Sequence, residues 1–133
     1  MLIYLYVAFG GALGTAMRFA LSGCVARHFD ETFPWGTLVI NVLGSFVIGF
    51  FSTLTEPEDG WLLVGPTGRQ FFMTGVLGGF TTFSSFSLQT LALARDGDWA
   101  KAGGNIIGSM ALCLVGVWLG HILAAAINFK KGH

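Results

Sequence analysis

The segment GVLGGFTTFSSFSLQT (75–90) concentrates residues that can hold an ion. After the pair Gly78 and Gly79 it places five hydroxyl side chains: Thr81, Thr82, Ser84, Ser85 and Ser87. Glycines weaken an α-helix, and Ser and Thr hydroxyls can bond to backbone carbonyls and bend it. Inside a membrane, such a break presents carbonyl groups to cations and N–H groups to anions. We therefore predict a broken helix that forms an ion site.

Two further pairs carry groups suited to an anion. Phe83 and Phe86 are three residues apart, so they share one face of a helix. The positive edge of a phenyl ring can face an anion, although packing against protein or lipid would place the same residues there. Asn41 is the one amide in 35–54, one turn after Thr37. Its side chain can donate to an anion or form an interhelical hydrogen bond, and the sequence favours neither.

The remaining polar residues are scattered over apolar stretches. One mildly polar stripe consists of three residues spaced by four: Asn105, Ser109 and Cys113. Arg18 lies in the first apolar stretch, so its charge must pair with an opposite charge, extend to the membrane surface or bind an anion. His121 is interpreted as a hydrogen-bonded helix residue, and Cys24, like Cys113, as a buried free thiol without metal-ligand spacing. The pairs Gly10/Gly14, Gly104/Gly108 and Gly116/Gly120 have the spacing of close helix packing.

The elements that position these residues are four apolar runs. Of 133 residues, 53 % are hydrophobic and 11 % charged, and the mean hydropathy is +0.70. A soluble domain has about a quarter of its residues charged. We predict four transmembrane helices at approximately 2–26, 35–54, 70–94 and 102–129, because about 20 helical residues cross a bilayer. The chain is thus expected to be an all-α, multi-pass protein with a single membrane domain, 1–133.

The charges exclude several classes of function. Seven basic and seven acidic residues leave no basic surface for nucleic acid, and no nucleotide-binding motif is present. No Asp or Glu lies in a predicted span, whereas proton-coupled pumps generally need a carboxylate there. Predicted spans that contain hydrogen-bond donors but no Asp or Glu favour passive movement of an anion. We therefore expect neither an enzyme nor a pump.

Loop charges bear on orientation in the membrane. Three Lys or Arg residues lie on each predicted side: Arg69, Lys130 and Lys131 on one, Arg27, Arg95 and Lys101 on the other. Orientation normally follows an excess of such residues on the cytoplasmic side. Without that excess, two interpretations remain: another signal orients the chain, or copies insert both ways and pair antiparallel.

Three segments resemble the signatures of one known family. GGALGTAMRF (10–19), PWGTLVINVLGSF (34–46) and GVLGGFTTFSSFS (75–87) are similar to the first three spans of Fluc-type fluoride channels, which are small bacterial fluoride exporters. The similarity covers nearly the whole chain and is weakest in the fourth span. The third-span motif is highly specific for this family, whereas the first-span pattern of GGxxG followed by an arginine is less specific for it.

The resemblance implies a passive fluoride channel in the bacterial inner membrane that protects the cytoplasm from fluoride. It implies an antiparallel, dual-topology homodimer with two pores in the lipid bilayer. The implied fluoride path includes Phe83, Phe86, Asn41, Ser84, Ser85, Thr37 and Ser109, with Arg18 at the vestibule. The backbone carbonyls of Gly78 and Thr81 would hold a structural sodium ion on the two-fold axis.

Three positions depart from the family pattern, and two other classes of function remain as alternatives. Asn105 stands where a tyrosine can occur, Gln89 where an acid is common, and Cys113 where a serine can sit. A small multidrug exporter would need a membrane carboxylate, which this sequence lacks. A purely structural membrane subunit would tolerate Asn41→Leu without any effect on transport.

Overall fold

The computed structural model describes residues 1–132, and its regular elements are all helical. Three spans are continuous helices: α1 (Leu2–His28), α2 (Trp35–Leu54) and α6 (Trp99–Lys131). The remaining span covers Pro66–Arg95, and all four are long and apolar enough to cross a membrane. The predicted all-α class with four spans is therefore confirmed.

The third span consists of four helical pieces. α3 (Pro66–Gln70) leads into a π-helical turn (Phe71–Leu77) and the short α4 (Gly78–Phe80). Two extended residues, Thr81 (ψ 159°) and Thr82 (ψ 113°), then interrupt the helix before α5 (Phe83–Arg95). The interruption lies in the segment whose glycines and hydroxyls predict a weak helix.

Glycines allow α1 and the first part of the third span to approach closely. A Cβ atom on Gly10 would lie 2.7 Å from the carbonyl oxygen of Phe71, and one on Gly75 would lie 3.0 Å from that of Val7. A Cβ on Gly14 would overlap the backbone of Val76. Close backbone approach through small residues is how membrane helices gain packing contacts.

Among the described residues, the most extensive contact between two elements is that of α2 with α6. Gly116 and Gly120 of α6 lie against the α2 backbone, so the predicted packing of this pair is confirmed, as it is for Gly10/Gly14. For Gly104/Gly108 the prediction is wrong within one chain, because a Cβ on either would meet nothing within 4 Å. Both face outward from the bundle.

Two further details differ from the sequence prediction. Cys24 is exposed rather than buried, because it lines a cavity of about 920 Å³ beside the chain's first loop. Cys113 is partly exposed. His121 accepts or donates a 2.8 Å hydrogen bond with the Thr53 hydroxyl, as expected of a hydrogen-bonded helix residue.

Candidate functional site

The break in the third span is held by one amide. The Thr82 N–H donates to Asn41 Oδ1 (2.8 Å), and Asn41 Nδ2 donates to the Thr82 carbonyl (3.0 Å). A single side chain thus bonds to both backbone groups of Thr82, the residue at the break. Asn41 Nδ2 carries a second hydrogen, so it retains one donor.

The Thr82 side chain begins α5. Its hydroxyl oxygen accepts a hydrogen bond from the Ser85 N–H (3.2 Å), the arrangement of a helix N-cap. The same hydroxyl lies 3.3 Å from the Ser84 hydroxyl and 3.1 Å from that of Ser85. Three of the hydroxyls predicted to form the site therefore meet at one point.

The two remaining hydroxyls of α5 donate hydrogen bonds to the backbone of the preceding helical turn. Ser87 donates to the Phe83 carbonyl (3.0 Å), and Thr90 donates to that of Phe86 (2.8 Å). Such i to i−4 bonds satisfy the hydroxyl inside its own helix. The hydroxyls that can serve an ion are consequently those at the start of α5.

The two aromatic rings are adjacent but differ in exposure. The centroids of Phe83 and Phe86 are 5.3 Å apart, with an angle of 48° between the ring planes. Phe86 is 8 % exposed, whereas Phe83 is 71 % exposed. Phe86 thus belongs to the folded chain, while Phe83 projects from its surface.

Two cavities meet at Thr82. The larger, which we call the vestibule, has a volume of about 920 Å³ and is lined by Arg18, Thr37, Ser85 and Gln89 among others. The smaller, which we call the groove, has a volume of about 310 Å³ and is lined by Asn41, Phe83, Phe86 and Ser109 among others. Thr82 lines both. Thr82 is therefore part of the wall of both cavities, and its partner Asn41 lines the groove.

The vestibule combines charges of both signs. Arg18 and Arg27 line it together with Asp30 and Glu31 of the first loop. Arg18 Nη1 donates to the Thr81 carbonyl at 3.4 Å, so this guanidinium lies where the vestibule reaches the break. Hydrogen bonds from Thr32 hold the pKa of the Asp30 carboxyl below its ordinary value, so Asp30 stays ionised at neutral pH.

The polar stripe of α6 forms a hydrogen-bond chain instead of an open track. Asn105 is 2 % exposed, and its Nδ2 donates to the Thr90 hydroxyl (2.9 Å). Ser109 donates to Asn105 Oδ1 (3.2 Å). This chain ties α6 to α5. Ser109 also lines the groove.

Thr82 is the residue whose importance the sequence understated. Thr82 is one of the five hydroxyls that follow Gly78 and Gly79, but neither the implied fluoride path nor the implied metal site includes it. A Thr followed by a helix, with a free N–H three residues later, is the usual signature of an N-cap. In this sequence Thr82 has the position of the cap and Ser85 that of the residue with the free N–H, if a helix begins at Phe83.

The described bundle has hydroxyl and amide donors at a break in one span, and all seven acidic residues of the chain lie outside the four spans. These features define a multi-pass membrane protein with a polar break inside one of its spans. The chain belongs to the CrcB-like family: the family model described as "CrcB-like protein, Camphor Resistance (CrcB)" matches residues 5–121.

Curated relatives match over almost the full chain. The chain is 72 % identical over 132 residues to a protein of Opitutus terrae, with 99 % of each chain covered. It is 59 % identical over 128 residues to one of Paramagnetospirillum magneticum, covering 96 % of this chain and 99 % of the relative. For Rhodospirillum rubrum the identity is 58 % over 125 residues, covering 94 % and 96 %. Each of these relatives is named "Fluoride-specific ion channel FluC".

Proposed function

We propose that this protein is a fluoride-selective channel that lets fluoride leave the bacterial cytoplasm passively. The observation that carries the proposal is the meeting of three hydroxyls with Asn41 at a helix break between two cavities. The names of the relatives support the same ion. Both the relatives and the site indicate transport rather than catalysis.

The chemistry of the donors suits fluoride. Fluoride is small and strongly hydrated, so close donors must replace its water along the route. Ser84 and Ser85 hydroxyls, the free Asn41 N–H and the edges of Phe83 and Phe86 can do this while each holds the ion weakly. Thr37 extends the path into the vestibule and Ser109 into the groove, while Arg18 attracts anions at the vestibule.

The open side of the groove supports a second copy of the chain as partner. Ser84 and Phe83 are exposed beside the broken backbone in one chain. Hydrocarbon cannot satisfy polar groups, so non-helical backbone at membrane depth must be covered by protein or line water. An antiparallel homodimer would cover both breaks and form two pores, and the balanced loop charges permit insertion in both directions.

The carbonyls at the break fit a structural sodium ion. Because the Thr82 N–H bonds to Asn41, it does not bond to the carbonyl of Gly78 four residues earlier. The Thr81 carbonyl accepts from Arg18 and retains a second lone pair. Gly78 and Thr81 of each copy would hold the ion, which when bound adds positive potential near the path. If N-methylglucamine replaces sodium throughout and neither flux nor dimer stability falls, this proposal fails.

A flux assay tests the main proposal. Purified protein is placed in liposomes loaded with fluoride, and efflux is followed with a fluoride electrode. We expect fast fluoride efflux and no comparable loss of chloride when liposomes are loaded with chloride instead. Absence of fluoride efflux, or equal loss of chloride, would contradict it. Efflux that required a proton gradient would favour an exporter instead.

Orientation can be measured separately. A cysteine added at the C-terminus of a Cys24→Ser, Cys113→Ser chain is labelled in intact cells with a membrane-impermeant maleimide, before and after permeabilisation. Dual topology predicts that about half of the chains are labelled before permeabilisation. Labelling of nearly all or nearly none would exclude it.

A further inference from the structure

Three sulfur-containing side chains line the groove. The chain has four methionines and two cysteines, and Met73, Met110 and Cys113 lie around this one cavity of about 310 Å³. Met73 comes from the π-helical turn, whereas Met110 and Cys113 come from α6. The latter two are three residues apart, so they share one helix face. None of the three is used in the proposed fluoride path.

The donor set selects a soft metal ion. Thiolate and thioether sulfur prefer soft ions such as Cu⁺, and Ag⁺ has the same preference. Methionine has three rotatable bonds, so its sulfur can adjust to an ion held by a neighbouring thiolate. Among the described residues that line the groove there is no carboxylate or imidazole to bind a divalent ion with compensating charge or nitrogen ligands.

Charge favours a monovalent ion at this depth. Cys113 is not in a disulfide and can supply one negative charge as a thiolate. One thiolate with one monovalent cation is neutral, and a neutral site avoids the cost of burying a net charge. A divalent ion would leave one uncompensated positive charge in the membrane.

We propose that the groove binds a soft monovalent metal ion, Cu⁺ or Ag⁺, through the sulfurs of Cys113, Met110 and Met73. On binding, the S–H bond of Cys113 breaks, a metal–sulfur bond forms, and the proton passes to solvent. No electron is transferred. The ion then lies in the cavity that Asn41, Phe86 and Ser109 line, so it obstructs fluoride. The binding stands by itself, whereas the obstruction rests on the proposed function.

Silver is the probe, and Cys24→Ser is the parent variant because Cys24 is the other thiol and lines the vestibule. Silver fluoride is soluble, so flux is measured in fluoride and nitrate salts without chloride. Silver bound per chain is measured by elemental mass spectrometry after gel filtration. The parent is expected to bind one Ag⁺ per chain and to lose most of its flux, relative to its own silver-free flux.

Variants of the three sulfurs make the proposal falsifiable. Adding Cys113→Ser should abolish both binding and block, whereas adding Met110→Leu or Met73→Leu should raise the half-blocking concentration by about tenfold or more. Met→Leu nearly conserves volume, so folding is expected to survive, and silver-free flux checks it. Unchanged binding after Cys113→Ser, or an unchanged half-blocking concentration after both methionine changes, would overturn the site. Stoichiometric binding by the parent without block would support the metal site but contradict the proposed fluoride path through the groove.

Discussion

α2 and α6 lie against each other as two continuous helices, whereas the neighbouring third span is divided by Thr81 and Thr82. In the α2–α6 pair both helices run without interruption, and glycines such as Gly49 and Gly120 bring the two backbones together. In the third span, the side chain of Asn41 bonds to the N–H and the carbonyl of Thr82 at the break.

The difference shows how a small bundle positions a polar site in a membrane. Asn41 belongs to α2 and Ser109 to α6, so the regular pair carries side chains to the irregular segment. Groups on rigid elements are held more accurately than groups on loops. The break is therefore a local irregularity supported by a regular scaffold, and the two parts should respond differently to mutation.

The largest expected effect comes from disturbing the scaffold. A Cβ atom in Gly120→Ala would overlap the Phe46 carbonyl and lie 2.8 Å from the Phe50 nitrogen. The backbones of α2 and α6 must separate, and overpacking of this kind costs about 3 kcal/mol. We expect a clear fall in the melting temperature in detergent and loss of a monodisperse gel-filtration peak.

Gly104→Ala is the matched control on the same helix. A Cβ atom there meets nothing within 4 Å, and alanine is a better helix former than glycine. Stability of one chain should be unchanged or slightly higher. Equal destabilisation by both variants would show that the glycine contacts between α2 and α6 do not support the bundle.

The next largest effect is expected from removing the hydrogen bonds between Asn41 and Thr82 at the break. Asn41→Leu leaves the Thr82 N–H without its partner and removes one hydrogen bond to the Thr82 carbonyl, at a cost of about 1–2 kcal/mol in a membrane protein. Because the hydroxyl cluster depends on the position of Thr82, we expect fluoride flux to fall far more than stability. The measurement is efflux from liposomes together with the melting temperature.

Asn128→Leu separates loss of flux from loss of stability. Asn128 makes the same kind of pair, donating to the Thr53 carbonyl (2.8 Å) and accepting from the Trp61 N–H (2.8 Å), but far from the break. It should lower stability to a similar extent and leave flux intact. Full flux in Asn41→Leu would favour a purely structural role for the amide.

The four spans could be predicted because uncharged runs of about 20 residues have few alternatives in a membrane. The residues at which the spans begin and end could not be predicted in the same way. α6 begins at Trp99 rather than near 102, because Asp98 caps a helix that extends into the charged turn. The π-helical turn also escaped prediction, since it lies where Gly10 and Gly14 let α1 approach, which is a tertiary contact.

The site was predictable in composition but not in connectivity. The sequence singled out the hydroxyls after Gly78 and Gly79 and left two roles open for Asn41. It could not show that Asn41 bonds to Thr82, 41 positions away, because such a pairing depends on how α2 lies against the break. The roles in fluoride conduction remain predictions.

A smaller effect distinguishes the two rings. Phe86 is buried in the groove and Phe83 is exposed, so Phe86→Ile should destabilise the chain by about 1 kcal/mol, whereas Phe83→Ile should not. Both should sharply reduce fluoride flux if ring edges face the ion. Chemical cross-linking reports dimer assembly in each variant. Loss of assembly with Phe83→Ile would instead assign that ring to packing between copies.

The smallest effect compares the two helix N-caps, Asp98 outside the membrane and Thr82 inside it. Asp98 Oδ1 accepts from the Lys101 N–H, and the carboxylate pairs with Lys101 Nζ at 3.2 Å. These bonds to Lys101 lower the pKa of Asp98. A carboxyl whose pKa is lower in the folded state contributes stability above its unfolded pKa of about 3.9 and loses it as the pH falls further.

Asp98→Ala should therefore lower the melting temperature at neutral pH, and the difference from the unaltered protein should shrink below about pH 4. Thr82→Ala removes a cap that does not titrate, so its destabilisation should be the same at both pH values. Melting curves of the three proteins at pH 7 and pH 3.5 provide the measurement. If Asp98→Ala lowers the melting temperature as much at pH 3.5 as at pH 7, the Asp98 cap acts without its charge, as the Thr82 hydroxyl does.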